Sequence, residues 1–454
     1  MGLLALLTIL AHAPGLTGQF LYWDDDTHVT QNLLIRELTW ENVRAMFTQP
    51  VAKLYVPLTW LSFALDYQLW GQTPFGYHLT NLLLHTANTV LVFVLMLGLV
   101  GAASPPRPGQ RIAAGTPLPP QSVAFLTAAI FGVHPLRVES VAWITERKDV
   151  LFAFFYLLGL LAYLRRRIAI VFVCFVAAAL AKAAAVTFPV VLVLLDVFVY
   201  RRRAWLEKIP FVIVSLVIGF ATLFAQGAGV GETVASTEAI PILARLGLLG
   251  YCSLFYVGKF FCPADLSAVY PTFDEMNWSR GHTVGYLLAF VAVTALIVAL
   301  RRRVPVLLPA WLFYLVTLSP TIGLLPVGIH VVADRYAYLP VLGLALAMGC
   351  VVRYRVASLV VVLVLALAAL TSHRTRVWHD TESLFQSVLA KDPRCLPAHI
   401  NLTKWYMDTG QLDKAIAHGR RAVEIAPNGL PGRRNLAAAL RKAGRAEEAA
   451  ALER

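Results

Sequence analysis

Apolar runs alternate with short polar breaks over the first 372 residues of this chain, and the alternation predicts helices that cross a membrane. Allowing about 20 residues per crossing, or somewhat fewer where the flanks help, the pattern predicts about 11 spans. They fall at 2–17, 80–100, 122–134, 149–164, 168–181, 185–200, 209–225, 284–300, 304–320, 337–352 and 356–372. The run at 244–261 has the composition of another span, yet a crossing there would carry the arginines at 301–303 to the opposite side. Arg245 and Lys259 flank it and Pro263 follows, so it is expected to be a re-entrant or surface-lying helix. The first run has no basic start and no small-residue cleavage site, so it is expected to be a shortened first span rather than a removable signal peptide.

After about residue 373 the long apolar runs stop, charge rises and a 34-residue period appears. The segment 397–428 carries Leu402, Tyr406, Gly410, Ala415, Ala422 and Pro427 at the small, large and helix-ending positions of the tetratricopeptide repeat. Leu436, Gly444 and Ala449 repeat the pattern one period later, and Pro393 lies one period before Pro427. The expected architecture is all-α: a polytopic membrane bundle at 1–372, then a short helical solenoid at 373–454. Such a solenoid binds peptide on its concave face or serves as a spacer without a ligand.

Composition agrees: 58% of residues are hydrophobic, 14% are charged, and the mean hydropathy is +0.66. The net charge of +13 would suggest nucleic acid in a soluble protein. Here the excess sits in arginine clusters at 165–167, 201–203, 301–303 and 353–355, each abutting an apolar run. That is the positive-inside pattern, so membrane lipids and not nucleic acid are the expected partner. With the clusters and the Pro-rich loop at 101–120 (Arg107, Arg111) on the inner side, the acids at 24–26, the segments 134–143 and 328–340 and the C-terminal tail share the outer side. Five cysteines show neither a disulfide framework nor metal-ligand spacing.

The chemistry-bearing residues cluster on that outer side. Asp24, Asp25 and Asp26, with His28, follow the first run; a carboxylate there could take a proton from an alcohol, or adjacent carboxylates could bind a divalent cation. The plain alternative is a solvated loop. His134, Arg137, Glu139, Glu146, Arg147, Lys148 and Asp149 crowd the link between two spans, as a salt-bridged loop or as the wall of a polar cavity. Asp334 and Arg335 precede another span, and the planar arginine fork suits a lipid phosphate as well as it suits an ordinary interfacial position. Lys53 and Tyr55 precede a segment in which His78, Asn81 and His85 fall at helical spacing, more in keeping with bundle packing than with chemistry.

Taken in order, WDD at 23–25, PLTWLSFALDYQLWGQTPFGYHLTNLLLH at 57–85, HPLRVESVAWITERKDVL at 134–151, DRYAYLP at 334–340 and the terminal repeats resemble one family. It is the transmembrane and tetratricopeptide-repeat O-mannosyltransferases and their bacterial relatives, within the polyprenyl-phosphate-sugar-dependent GT-C glycosyltransferases. The resemblance implies a membrane glycosyltransferase using a lipid-linked sugar as co-substrate, with a protein or peptide acceptor engaged through the repeats. It makes Asp24, Asp25 and Glu139 catalytic, Arg335 and Arg147 binders of the donor phosphate, and Asp149 and His134 supporting residues; Asp26, which has no clear counterpart in the family pattern, is a supporting candidate by its place beside Asp25. A transporter lined by the same charges and a repeat-bearing scaffold are the competing expectations. The Ala- and Arg-rich texture suggests a bacterial cytoplasmic membrane with a periplasmic tail.

Overall fold

The computed structural model describes residues 1–51, 54–103, 118–227, 241–273, 275–322, 331–352 and 357–453. Lys53, Arg107 and Arg111, residues 328–330, Arg353 and Arg355 lie outside the described residues. Among the described residues the chain is helical throughout, with one isolated bridge between Val51 and Leu54 and no strand.

The bundle is built from α1 (Gly2–His12), α2 (Trp40–Thr48), α3 (Pro57–Trp70), α4 (Pro74–Ala103), α5 (Pro120–Val133), α6 (Val138–Ala142), α7 (Arg147–Leu164), α8 (Ile168–Ala181), α9 (Phe188–Leu195), α10 (Ile209–Gly227), α11 (Ile242–Phe261), α12 (Arg280–Leu300), α13 (Leu307–Leu318), α14 (Val341–Val351) and α15 (Ala357–Val377). Among the described residues, five stretches are long and apolar enough to cross a membrane: Pro74–Gly101, Ala183–Tyr200, Leu206–Ala225, Arg280–Leu300 and Ser358–Val377. Gly2–Thr17, Pro120–Val133, Ile168–Ala181, Leu307–Thr321 and Val341–Val351 are apolar but shorter.

Local chemistry sets where these helices stop. His134 precedes Pro135, whose ring disfavours helical backbone in its neighbour, so α5 ends at Val133 and His134 is extended (ψ 134°). The His134 ring then caps the next turn by accepting from the Leu136 N–H at 3.2 Å. Lys182 is likewise extended after α8, and a tight turn over Ala183–Thr187 separates it from α9. A lysine in mid-hydrocarbon would be costly, and this break lets it leave the apolar layer.

The bundle has two unlike ends. α7 runs from Arg147 to the Arg165–Arg167 cluster, α8 returns from there to Lys182, and the chain from Ala183 descends again to Arg201–Arg203. The opposite end gathers the loops at 18–39, 134–146 and 331–340. Helix α11 touches this loop end from both halves: Gly247 lies against Thr283 at the start of α12, the Tyr256 hydroxyl donates to the Ala333 carbonyl (3.0 Å), and the Phe260 carbonyl accepts from His134 (2.9 Å).

The last helices are α16 (Thr381–Leu389), α17 (Leu396–Asp408), α18 (Leu412–Ile425), α19 (Leu430–Lys442) and α20 (Ala446–Glu453). Their structure repeats as their sequence does. Gly410 and Gly444 take left-handed φ of 79° and 78° just beyond α17 and α19. The next N–H groups, Gln411 and Arg445, each close onto the carbonyls of Tyr406 and Leu440 at 2.8 Å, the Schellman end that glycine permits. Leu402, Tyr406, Ala415 and Ala422 are buried between the helices, and Pro427 follows the end of α18.

These helices dock on the loop end of the bundle. The Gln19 N–H donates to the His379 carbonyl (2.7 Å), the Tyr22 N–H to the Thr381 hydroxyl (2.9 Å), and the Lys391 ammonium to the Leu266 carbonyl (2.5 Å). Leu21, Val138 and Trp143 share an apolar core with Trp378, Leu384 and Phe385. Within it Trp23 stacks on Trp143, with centroids 4.4 Å apart and planes at 18°, a contact worth about 0.5–1.5 kcal/mol beyond the buried area.

Candidate active site at the loop end of the bundle

The three consecutive acids do three different things. Asp25 is fully buried, and its carboxylate accepts from the Leu21 N–H (2.9 Å), the Thr145 N–H (3.0 Å) and the Thr145 hydroxyl. Burial still pushes it up to about 7, against those hydrogen bonds. Asp26 accepts from the Thr27 N–H (2.7 Å) and pairs with Lys404 of α17. Asp24, half-buried, makes no side-chain hydrogen bond or ion pair to any described residue. Burial raises it above the ordinary carboxylate range, with Lys148 and Arg335 pulling the other way and Glu146 adding to the rise.

Beside these acids, three cations converge on one carboxylate. Glu146 lies 3.1 Å from Lys148, 3.4 Å from the Arg335 Nε and 4.0 Å from Lys182. Burial alone would raise it, but Lys148, Lys182 and Arg335 outweigh burial and hold it down at about 2. Glu139 binds Arg335 twice, through the Arg335 N–H (2.9 Å) and the guanidinium Nη1. Burial drives Glu139 upward, Arg335 opposes, and Asp334 and Glu146 add to the rise. Arg335 packs over the Trp143 and Tyr336 rings, and its Nη2 makes no hydrogen bond to a described residue. Burial works against its charge, but the field of Glu139, Tyr336 and Glu146 keeps it protonated well above its ordinary value.

The remaining candidates hold this arrangement. Arg147 is fully buried and spends its donors on Asp66 (2.6 Å), the Tyr77 carbonyl (2.9 Å) and Asn81. Asn81 in turn donates to the carbonyls of Val141 and Trp143 (3.3 and 3.2 Å), so α3, α4 and the 138–147 loop lock together. Asp149 accepts from the Ser140 hydroxyl at 3.0 Å and pairs with Lys182. Because the His134 Nδ1 accepts from Leu136, its Nε2 carries the proton donated to Phe260, so the neutral ring ties the loop to α11. Among the described residues, no group of three or more His, Cys, Asp or Glu side chains could hold a metal ion. Asp25 and Asp26 direct their carboxylates to different partners, Thr145 and Lys404.

Asp66, Thr145 and Lys182 join the site without having been singled out as site residues from sequence. Asp66 is the lone acid of an apolar helix and Lys182 a lone cation between two apolar runs, the kind of isolated charge that marks a functional cavity in membrane helices. Thr145 carries no such signal, because a threonine in a loop is ordinary.

No family model matches the chain, and no solved structure matches it significantly. Protein O-mannosyl-transferase TMTC4 of Homo sapiens is 38% identical over 112 residues, 24% of this chain and 14% of that protein. A protein O-mannosyl-transferase of Caenorhabditis elegans is 24% identical over 395 residues, covering 83% of this chain and 54% of its own length. Protein O-mannosyl-transferase Tmtc3 of Drosophila melanogaster is 25% identical over 459 residues, covering 82% and 48%. The chain thus spans about half the length of the relatives that it matches along most of its own. Its curated homologues, at modest identity, are protein O-mannosyl-transferases of the TMTC family, the family that its loops and repeats resemble.

Proposed function

We propose that this chain is a membrane glycosyltransferase that moves a sugar, mannose by the names of its relatives, from a polyprenyl-phosphate donor to a protein hydroxyl at the loop end of the bundle. In this reading about 11 spans form a GT-C-like domain at 1–372, and α11 lies across its outer end. The helices at 373–454 form a tetratricopeptide-repeat unit beside the site, where they meet an acceptor peptide.

The observation that carries the proposal is Asp24: a half-buried, unengaged carboxylate in the field of Lys148 and Arg335. The acceptor hydroxyl oxygen bonds to the anomeric carbon as the carbon–oxygen bond to phosphate breaks. The bonding pair leaves on the phosphate, and the hydroxyl proton passes to Asp24, so the anomeric configuration inverts. A base of raised pKa beside the reacting hydroxyl contributes about 10²–10⁴-fold. Arg335, through its free Nη2, and Lys148 offset the charge that develops on the phosphate, in a site already organised by Glu139 and Glu146. Asp25, Arg147, Asp149 and His134 position this apparatus. When bound phosphate replaces Glu146 as partner of the cations, little reorganisation is required.

Membranes carrying the protein, incubated with polyprenyl-phosphate [14C]mannose and a Ser/Thr-containing protein acceptor, should transfer label. Wild type that transfers nothing from any polyprenyl-phosphate sugar would overturn the proposal.

A further inference from the structure

At the opposite end of the bundle an apolar cleft of about 270 Å³ opens between α4, α9, α13 and α14. Leu95 and Leu99 form one wall, Leu195 and Phe198 the second, and Val306 and Leu346 the third. An apolar cavity of about 150 Å³ already accepts a molecule the size of benzene, so this one has room for a length of hydrocarbon chain. Its mouth is partly open, with Phe198 and Val199 each 37% exposed and Pro305 exposed beside them.

Two arginine triplets flank that mouth. Arg201–Arg203 follow Val199 with one residue between, and Arg301–Arg303 precede Pro305 with one residue between. Arg202 is engaged, by Asp196 (2.7 Å) and Glu207 (3.1 Å). Arg201, Arg203, Arg301, Arg302 and Arg303 are exposed and have no acidic partner among the described residues. Topology alone accounts for arginines at this face, but not for an apolar cleft that opens between two sets of them. Basic residues around a pocket between membrane helices are the arrangement that holds an anionic lipid headgroup.

We propose that this cleft binds an anionic glycerophospholipid, one acyl chain in the cleft and its phosphate among Arg201, Arg203 and Arg301–Arg303. The inference rests on the bundle spanning a bilayer, and it is independent of the sugar-transfer reading because its readout is lipid retention.

The test is native mass spectrometry of the full-length protein, released from nanodiscs containing equal phosphatidylglycerol and phosphatidylcholine. Wild type should retain phosphatidylglycerol preferentially. The combined Arg201→Gln, Arg301→Gln, Arg303→Gln variant should lose that preference by about tenfold or more, as expected from losing several arginine–phosphate contacts. Leu99→Trp fills the cleft without touching charge or topology, and it should lower retention of both lipids. Equal retention of the two lipids by wild type, or lipid retention unchanged by Leu99→Trp, would overturn the proposal. Displacement of bound phosphatidylglycerol by added polyprenyl phosphate but not by an equal amount of a second anionic glycerophospholipid, phosphatidic acid, would also overturn it, by assigning the cleft to a prenyl chain.

Discussion

Asp25 accepts hydrogen bonds from both the backbone N–H and the hydroxyl of Thr145, 120 residues away, and so pins the first loop to the turn that carries Glu146. The neighbouring acid, Asp24, has no such partner. In the proposed reading, the two adjacent carboxylates are thereby divided between holding the site and acting in it.

The division is open to test by stability. Asp24→Asn removes no described hydrogen bond, and its unfolding free energy should change by no more than about 0.5 kcal/mol, as for substitutions away from packed or bonded features. Asp25→Ala leaves the Leu21 and Thr145 donors buried and unpaired, at about 1–3 kcal/mol for each unsatisfied group. Thermal unfolding of the two variants in the same detergent would contradict the account if they shifted equally.

Asp25 also makes stability depend on pH. Its folded carboxyl is raised from 3.8 to about 7 by burial, so between these values the folded chain holds more protons than the unfolded one. Its contribution is therefore fully present in acid and is lost as pH rises through about 7. Relative to Asp25→Asn, which cannot ionise, the wild type should lose melting temperature across that window. A difference independent of pH would mean that Asp25 is ionised at no such cost.

The buried Asp66–Arg147 pair gives a third prediction. Removing one partner, as in Asp66→Asn, leaves a guanidinium without its counter-charge and should cost about 3–5 kcal/mol. Sugar transfer should fall with the amount of folded protein rather than per folded molecule. A variant that folds normally yet is inactive would place Arg147 on the donor instead.

The Asp26–Lys404 pair, with its lysine partly in solvent, should matter less. With the lysine side chain 34% exposed, a double-mutant cycle on Asp26→Asn and Lys404→Met should give a coupling of about 0.2–1 kcal/mol. A coupling of several kcal/mol would show that the C-terminal helices depend on this contact rather than on the apolar core around Trp23, Trp143 and Phe385.

How much of this was legible in sequence follows from which signals survive without a fold. The apolar runs and the repeat period are local, and the helix at 168–181 lies where the apolar pattern predicts it. The chemistry of 24–26, 139, 146–149 and 335 stood out because charge is scarce in this chain. The separate tasks of Asp24 and Asp25 could not be read, because they depend on Thr145, a long-range partner with no sequence signature. Arg147 read as a phosphate ligand by resemblance, whereas its geometry spends the guanidinium on Asp66, Asn81 and Tyr77, a pairing visible only once α3 meets α4. Burial, which the sequence pattern does not display, is the main cause of the raised values of Asp24 and Asp25.

The central claim is that Asp24 takes the proton of the acceptor hydroxyl. The most direct measurement is the pH profile of mannose transfer from polyprenyl-phosphate mannose by wild type and Asp24→Asn, at matched levels of folded protein. The account predicts that wild-type kcat/KM climbs with pH through a value above the ordinary carboxylate range, since the base must be ionised and burial raises Asp24. Asp24→Asn should lack that limb and lose about 10²–10⁴-fold in rate. An Asp24→Asn protein that transfers mannose at the wild-type rate, with the same pH profile, would contradict it.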